Sequence, residues 1–216
     1  MRDGEINKHF ELNSSDIDPD WLRSWIKSVP DEALRVEIEN NPRVNNKVVE
    51  NVLLAHGLAP LIKDEIDEDV QNICNILKTN KDKFVDLCGL ALMGSMLRKI
   101  VDPKILAKYI IVFNKELLQI SMKAEIDYLE YSHLSIEKDQ LAEFVKDAGM
   151  RCVAGWSWGL PASASLYVRL LLPKTYSSSA MKAKAIEHEK ARETVYAIAK
   201  AFNRQEKRSD VDAAII

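Results

Sequence analysis

Three times in this chain an Asp or Asn stands directly before a proline: Asp18-Pro19, Asn41-Pro42 and Asp102-Pro103. Each pair reads as a helix start. The short polar side chain accepts from the first unpaired N–H groups, and proline fits the first turn, where its missing N–H costs nothing. Apolar residues then recur at helical intervals. After Asp18-Pro19-Asp20 come Trp21, Leu22, Trp25 and Ile26, one stripe on a helix that Pro30 ends. After Asn41-Pro42, Val44, Val48, Val52 and Ala55 share a face. Gly57 takes the expected C-terminal cap ahead of the break Leu58-Ala59-Pro60. After Asp102-Pro103 come Ile105, Leu106, Tyr109, Ile110 and Phe113. No convincing series of alternating strands occurs between these starts. The fold class is therefore all-α, a single compact multi-helix domain.

The rest of the chain follows the same period. A short helix is predicted from about Asp31 to Asn40. The acidic run 64–69 opens another, with Ile66, Val70, Ile73, Cys74 and Leu77 inward. Lys81 to Met93 is apolar enough for a separate central helix, and Gly89 and Gly94 in or beside it suit close helix approach or a bend. Asn114 is expected to cap a further segment from Lys115 to about Asp127, carrying Leu117, Leu118, Ser121 and Met122. Residues 128–137 fit a turn or a short extended piece. A helix from Lys138 to Trp158 carries Leu141, Phe144, Val145, Ala148 and Cys152. Pro161 opens an apolar helix that Pro173 closes, and Tyr176-Ser177-Ser178-Ser179 is rich in turn and capping residues.

The last helix is expected to be long and amphipathic, from Ala180 to Arg204. Its predicted stripe is Met181, Ala185, His188, Arg192, Val195, Ala199 and Phe202, with Ile198 alongside and a basic outer surface. These boundaries give an extended N-terminal segment 1–17, a helical domain 18–205 and a flexible tail 206–216. No internal repeat stands out.

With 216 residues the chain can bury a substantial core. No apolar run reaches the roughly 20 residues of a membrane span. The polar start Met1-Arg2-Asp3-Gly4-Glu5 lacks the apolar centre of a signal peptide, so the expected location is the cytoplasm. Cys74, Cys88 and Cys152 agree, being odd in number, far apart and set among apolar neighbours, as buried free thiols are. His9, His56, His133 and His188 show no zinc spacing. No cofactor or metal is expected. Charge is uneven: residues 1–70 hold 16 acids and 8 bases, and the remainder 17 acids and 22 bases. Such polarity suits a piece held between different partners, or one that associates head to tail, although solvated helix faces produce it equally well.

One catalytic pattern occurs. Gly155-Trp156-Ser157-Trp158-Gly159 is formally G-x-S-x-G, the nucleophile elbow of α/β-hydrolases, and Glu187 and His188 follow as an acid and a base. The elbow requires a strand before the serine and a parallel sheet beneath it. Here Ser157 follows a helical pattern, and Glu187 and His188, adjacent on a helix, project in different directions. Packing explains the motif better: two tryptophans bury large area, and the flanking glycines let backbones approach them. Exposed aromatic surface there would instead serve a partner. The acidic run 64–69 lacks calcium-loop spacing, and the mixed charge of residues 177–208 argues against nucleic acid.

Two further segments stand out together. Leu87-Cys88-Gly89-Leu90-Ala91-Leu92-Met93-Gly94 leads into Leu97-Arg98-Lys99-Ile100. Farther on, Gly155-Trp156 and Leu160-Pro161 precede Leu170-Leu171-Leu172-Pro173. With Phe10-Glu11-Leu12 ahead of Asp18-Pro19-Asp20-Trp21-Leu22, this order resembles the cytosolic adaptor of the bacterial type III secretion sorting platform, the SctK-type family. The resemblance implies a mostly helical, non-enzymatic linker needed for platform assembly and secretion. Its implied partners are the cytoplasmic domain of the inner-membrane ring protein and the platform's pod protein, with peripheral placement at the inner membrane. Trp21, Trp25, Leu97, Arg98, Trp156, Trp158 and Pro161 are the expected contact residues. A helical chaperone of a secreted client is the remaining alternative to the adaptor and the Ser157 hydrolase.

Overall fold

In chain order the elements are α1 (Pro19–Ile26), α2 (Glu32–Asn40), α3 (Pro42–Ala55), α4 (Glu68–Leu92), α5 (Gly94–Lys99), α6 (Pro103–Lys123), α7 (Lys138–Ser157), α8 (Ala162–Leu171), a 3-10 turn (Lys174–Ser177) and α9 (His188–Ala213). This is a computed structural model, and it describes residues 15–55, 66–123, 138–177 and 186–213. No strand occurs among the described residues, and the fold is all-α.

All three capped starts form. The Asp18 carboxylate accepts from Asp20 N–H at 3.1 Å, Asn41 Oδ1 from Arg43 N–H at 3.1 Å, and Asp102 Oδ1 from Lys104 N–H at 2.8 Å. Asp31 does the same for α2 and Asp67 for α4.

The two helices predicted around residues 66–93 both form and meet at a kink at Asn80, which leaves the helical region at φ −138° and ψ 37°; together they make up α4. Two other boundaries differ from expectation. α6 runs straight through Asn114: the stripe Tyr109, Phe113, Leu117 stays in register and buried, so packing outweighs a local capping residue. α9 begins at His188 and continues to Ala213, past the boundary expected at 206. Its buried face is Ala191, Val195, Ile198, Ala199 and Phe202: the predicted stripe holds from Val195 onward, while His188 and Arg192 are exposed and Ala191 is buried in their place. Gly57, Met181, Ala185 and the uncertain stretch 128–137 lie outside the described residues.

The core is built where α4, α7 and α9 meet. Gly89 of α4 lies against the Val145 carbonyl of α7, and Gly149 of α7 lies against the Val85 carbonyl of α4. A side chain at either glycine would overlap backbone, so the two helices touch main chain to main chain. The glycines and valines occupy a reciprocal pair of Phe-Val-x-x-x-Gly stretches, Phe84 to Gly89 and Phe144 to Gly149. That is a short internal repeat, which a search for longer units passes over. Phe84 and Phe202 meet edge to face at 6.3 Å, and Trp156 and Tyr196 at 6.4 Å, locking α9 onto the pair.

A second, smaller cluster of Ile17, Val49 and Leu170, with Trp21, Leu22, Trp25 and Leu166 packed around it, attaches α1 and α3 to α8. Val49 is the best buried residue described on α3, where the sequence pattern pointed to Val48.

Candidate docking surfaces

The expected contact residues divide between core, joints and surface. Leu97 is 2% exposed and Trp156 is fully buried, so both are core residues and offer no surface to a partner. The cause is local: α5 is a single short turn folded against α6, and Trp156 points at α9. The Trp156 indole N–H has no hydrogen-bond partner among the described residues, a cost tolerated for the area this ring buries.

Trp21 is half-buried and forms a joint. Its indole N–H donates to the carbonyls of Arg169 and Leu172, both at 3.1 Å. Asp18 N–H donates to Leu170 O at 2.9 Å, and Lys81 Nζ to Leu171 O at 3.0 Å. Four consecutive carbonyls at the end of α8 thus receive donors from elsewhere in the chain, and Arg169 O also accepts from the capping Leu172 N–H at 3.3 Å. Lys81 also lies 3.7 Å from the Asp18 carboxylate, and Lys78 pairs with Asp16 at 3.0 Å. Lys78 and Lys81 went unremarked in the sequence because their partners are more than 60 positions away. Trp25, half-buried, sits 6.2 Å from Trp21 in a tilted arrangement.

Arg98 is exposed, and its guanidinium donates to Met122 O at 3.0 Å, closing the far end of α6. Trp158 is half-buried under the Arg169 guanidinium, 4.2 Å from the ring centre. Burial lowers the Arg169 pKa from its ordinary value. Pro161 is exposed at the start of α8. Arg98, Pro161 and parts of Trp21, Trp25 and Trp158 therefore face outward.

Ser157 is fully buried at the last position of α7, and its hydroxyl donates to Ala154 O at 2.7 Å, within its own helix. Helix, not strand, precedes it, so the elbow geometry is not formed. His188 packs its ring against Gly159, with Nδ1 3.4 Å from Gly155 O. It acts as a wedge between the α7–α8 turn and the start of α9.

The three cysteines are free and buried. Burial raises Cys74 to about 12, and burial together with the Cys152 thiol raises Cys88 well above the ordinary range, so neither is a nucleophile. Beside the glycine crossing, Asp82 pairs with Lys146 at 2.9 Å, and Asp86 is raised to about 6 by burial, which outweighs the nearby Lys146 charge. No group of three or more metal-ligating side chains occurs among the described residues.

Apart from Leu54 on α3, the exposed large apolar side chains among the described residues fall on two surfaces. On α2, Val36 is 52% exposed, one turn from exposed Glu32, with Glu37 next to it and Leu34 on the edge. Around the start of α6, Val101 is 92% and Ile111 69% exposed, with Ile105 and Ile110 less so. Helical geometry sets Ile111 in a stripe with Lys104, Lys108 and Lys115, all exposed. Ile105 and Ile110, among the apolar residues that follow Asp102-Pro103, do not face the core. The α6 core face is instead Tyr109, Phe113, Leu117 and Leu118. No described helix is long and apolar enough to cross a membrane. A scan of family models, a search of curated proteins and a search of solved structures each found no match to this chain.

Proposed function

We propose that this chain is a non-enzymatic helical scaffold, and specifically an adaptor of a bacterial type III secretion sorting platform. In that role it holds the cytoplasmic domain of the inner-membrane ring protein on one side and the pod protein on the other. Seven large apolar side chains exposed, among the described residues, on α2, α3 and the α5–α6 region carry the scaffold reading. Contiguous exposed apolar surface edged by charge marks protein interaction sites. The narrower assignment to the sorting platform rests on the order of the Trp21-Leu22, Gly89–Arg98 and Gly155–Pro173 segments.

The test is affinity capture from the bacterial cytoplasm with mass spectrometry, using the native chain and a Leu54→Ser variant, which alters the exposed apolar side chain of α3. Recovery of the ring protein and the pod protein by the native chain, and loss of one of them by the variant, is expected. Failure to recover either, under conditions where other platform contacts survive, overturns the adaptor assignment.

A further inference from the structure

The two exposed apolar surfaces are opposite in charge. Residues 31–40 hold four acids and one base, and residues 98–115 hold five bases and one acid. On α2, Val36 stands one turn from Glu32, and Glu37 adjoins it. On α6, Ile111 lies within a short arc of Lys104, Lys108 and Lys115, with Ile105 beside Lys108. Each surface is thus an apolar centre with a charged border, and the borders are complementary.

The two belong to different neighbourhoods. α2 packs on α1 and α3, and α6 packs on α4, α5, α7 and α9. Both end up exposed because each helix uses its other face for the interior: Ile38 is buried on α2, and Tyr109 and Phe113 on α6.

We propose that the acidic apolar face of α2 docks onto the basic apolar face at the start of α6 in a second copy of this chain. The contact is heterologous: each bound copy leaves one acidic and one basic face free, so copies add head to tail into a ring or an open chain. Two helix faces bury less than a standard stable interface, and much of the attraction is between exposed charges. The association is therefore weak, concentration-dependent and sensitive to salt. The proposal rests on the scaffold reading only in taking these faces as docking sites, and it names a copy of the chain as one occupant.

Sedimentation velocity on the purified chain tests it. The native protein is expected to gain mass with concentration and to lose that gain in about 0.5 M salt, where exposed charges are screened beyond a few ångströms. Glu32→Lys/Glu37→Lys removes the acidic face, and Ile105→Ser/Ile111→Ser removes the apolar centre of the basic one while keeping its charge. Each variant alone should be monomeric with unchanged helicity. Mixed in equal amounts, they should form a capped dimer through the two faces left intact, an outcome a self-matching interface does not give.

A native protein that stays monomeric, variants that still associate, or a mixture that stays monomeric would each overturn the proposal. Vesicles of phosphatidylglycerol and phosphatidylcholine separate the other occupant. Flotation of a monomeric native chain, lost in Lys104→Glu/Lys108→Glu, assigns the basic face to a membrane surface and overturns it. Recovery of the ring or pod protein alongside a monomeric native chain overturns self-docking while leaving the scaffold reading in place.

Discussion

The α4–α7 crossing and the α1–α8 joint hold this molecule together by different physics. At the crossing, two glycines let backbones meet against Val85 and Val145, which like the adjoining Phe84 are 0% exposed. At the joint, a thin apolar cluster is supplemented by donors from Asp18, Trp21 and Lys81 aimed at the open end of α8. The first is strong because it is dry and close-packed. The second is directional: each hydrogen bond adds modest stability but fixes where α1 lies. The contrast assigns rigidity to the centre and easier local opening to the α1–α3 end, which also carries the acidic docking face.

The sharpest way to break the contrast is at the crossing. Gly149→Ala gains about 1 kcal/mol of helix propensity, but its methyl group meets the Val85 carbonyl. A net loss of about 3 kcal/mol or more is expected by urea denaturation, since backbone cannot give way as a side chain does. A stable Gly149→Ala protein would show that the helices are free to slide apart.

Trp21→Phe should cost about 1–2 kcal/mol by removing the donor to Leu172 O and leaving Arg169 O with only the Leu172 N–H. Its distinguishing readout is local: amide exchange should quicken in α1 and at the end of α8 while α4 and α7 stay protected. Lys81→Met should cost about 1 kcal/mol in the same assay, and the Leu171 region should report it. Uniform loss of protection in either variant would mean that the joint and the core unfold as one unit.

Asp86 tests the edge of the crossing. Its folded pKa of about 6 lies above the ordinary carboxylate value of about 4, so the folded state holds the proton more tightly. Stability from this group is therefore greatest below pH 4 and declines as pH rises through 6. Asp86→Asn should stabilise the protein by about 1 kcal/mol at pH 7, after allowance for partial exposure, with the gain fading toward pH 4. A gain that does not depend on pH would place the effect elsewhere. Smallest of all is Ser157→Ala, expected to cost under about 1 kcal/mol because the hydroxyl bonds only within its helix. Labelling of native Ser157 by a fluorophosphonate would contradict that burial.

Much of the fold was legible from local chemistry. The capped starts at Asp18, Asn41 and Asp102 formed because a side chain two residues from its acceptor needs no tertiary help. Ile66, Val70, Ile73, Cys74 and Leu77 were readable as inward because a period of 3.6 and a buried side are set by the same residues. The surfaces were less legible. An aromatic at a conspicuous motif looks alike whether it is core, as Trp156 is, or a joint, as Trp21 is. Gly149 could have been found through the second Phe-Val-x-x-x-Gly, had the two stretches been set side by side.

What the sequence determined by itself is the helical class, the helix starts and most inward stripes, since each depends on contacts within a few residues. The tertiary structure decided which helix ends needed outside donors, which glycines mark the closest approach, and which half of α6 remained uncovered. Those outcomes depend on pairs such as Gly89 with Val145 and Trp21 with Leu172. Local propensity does not encode such pairs, because they exist only once distant segments have packed.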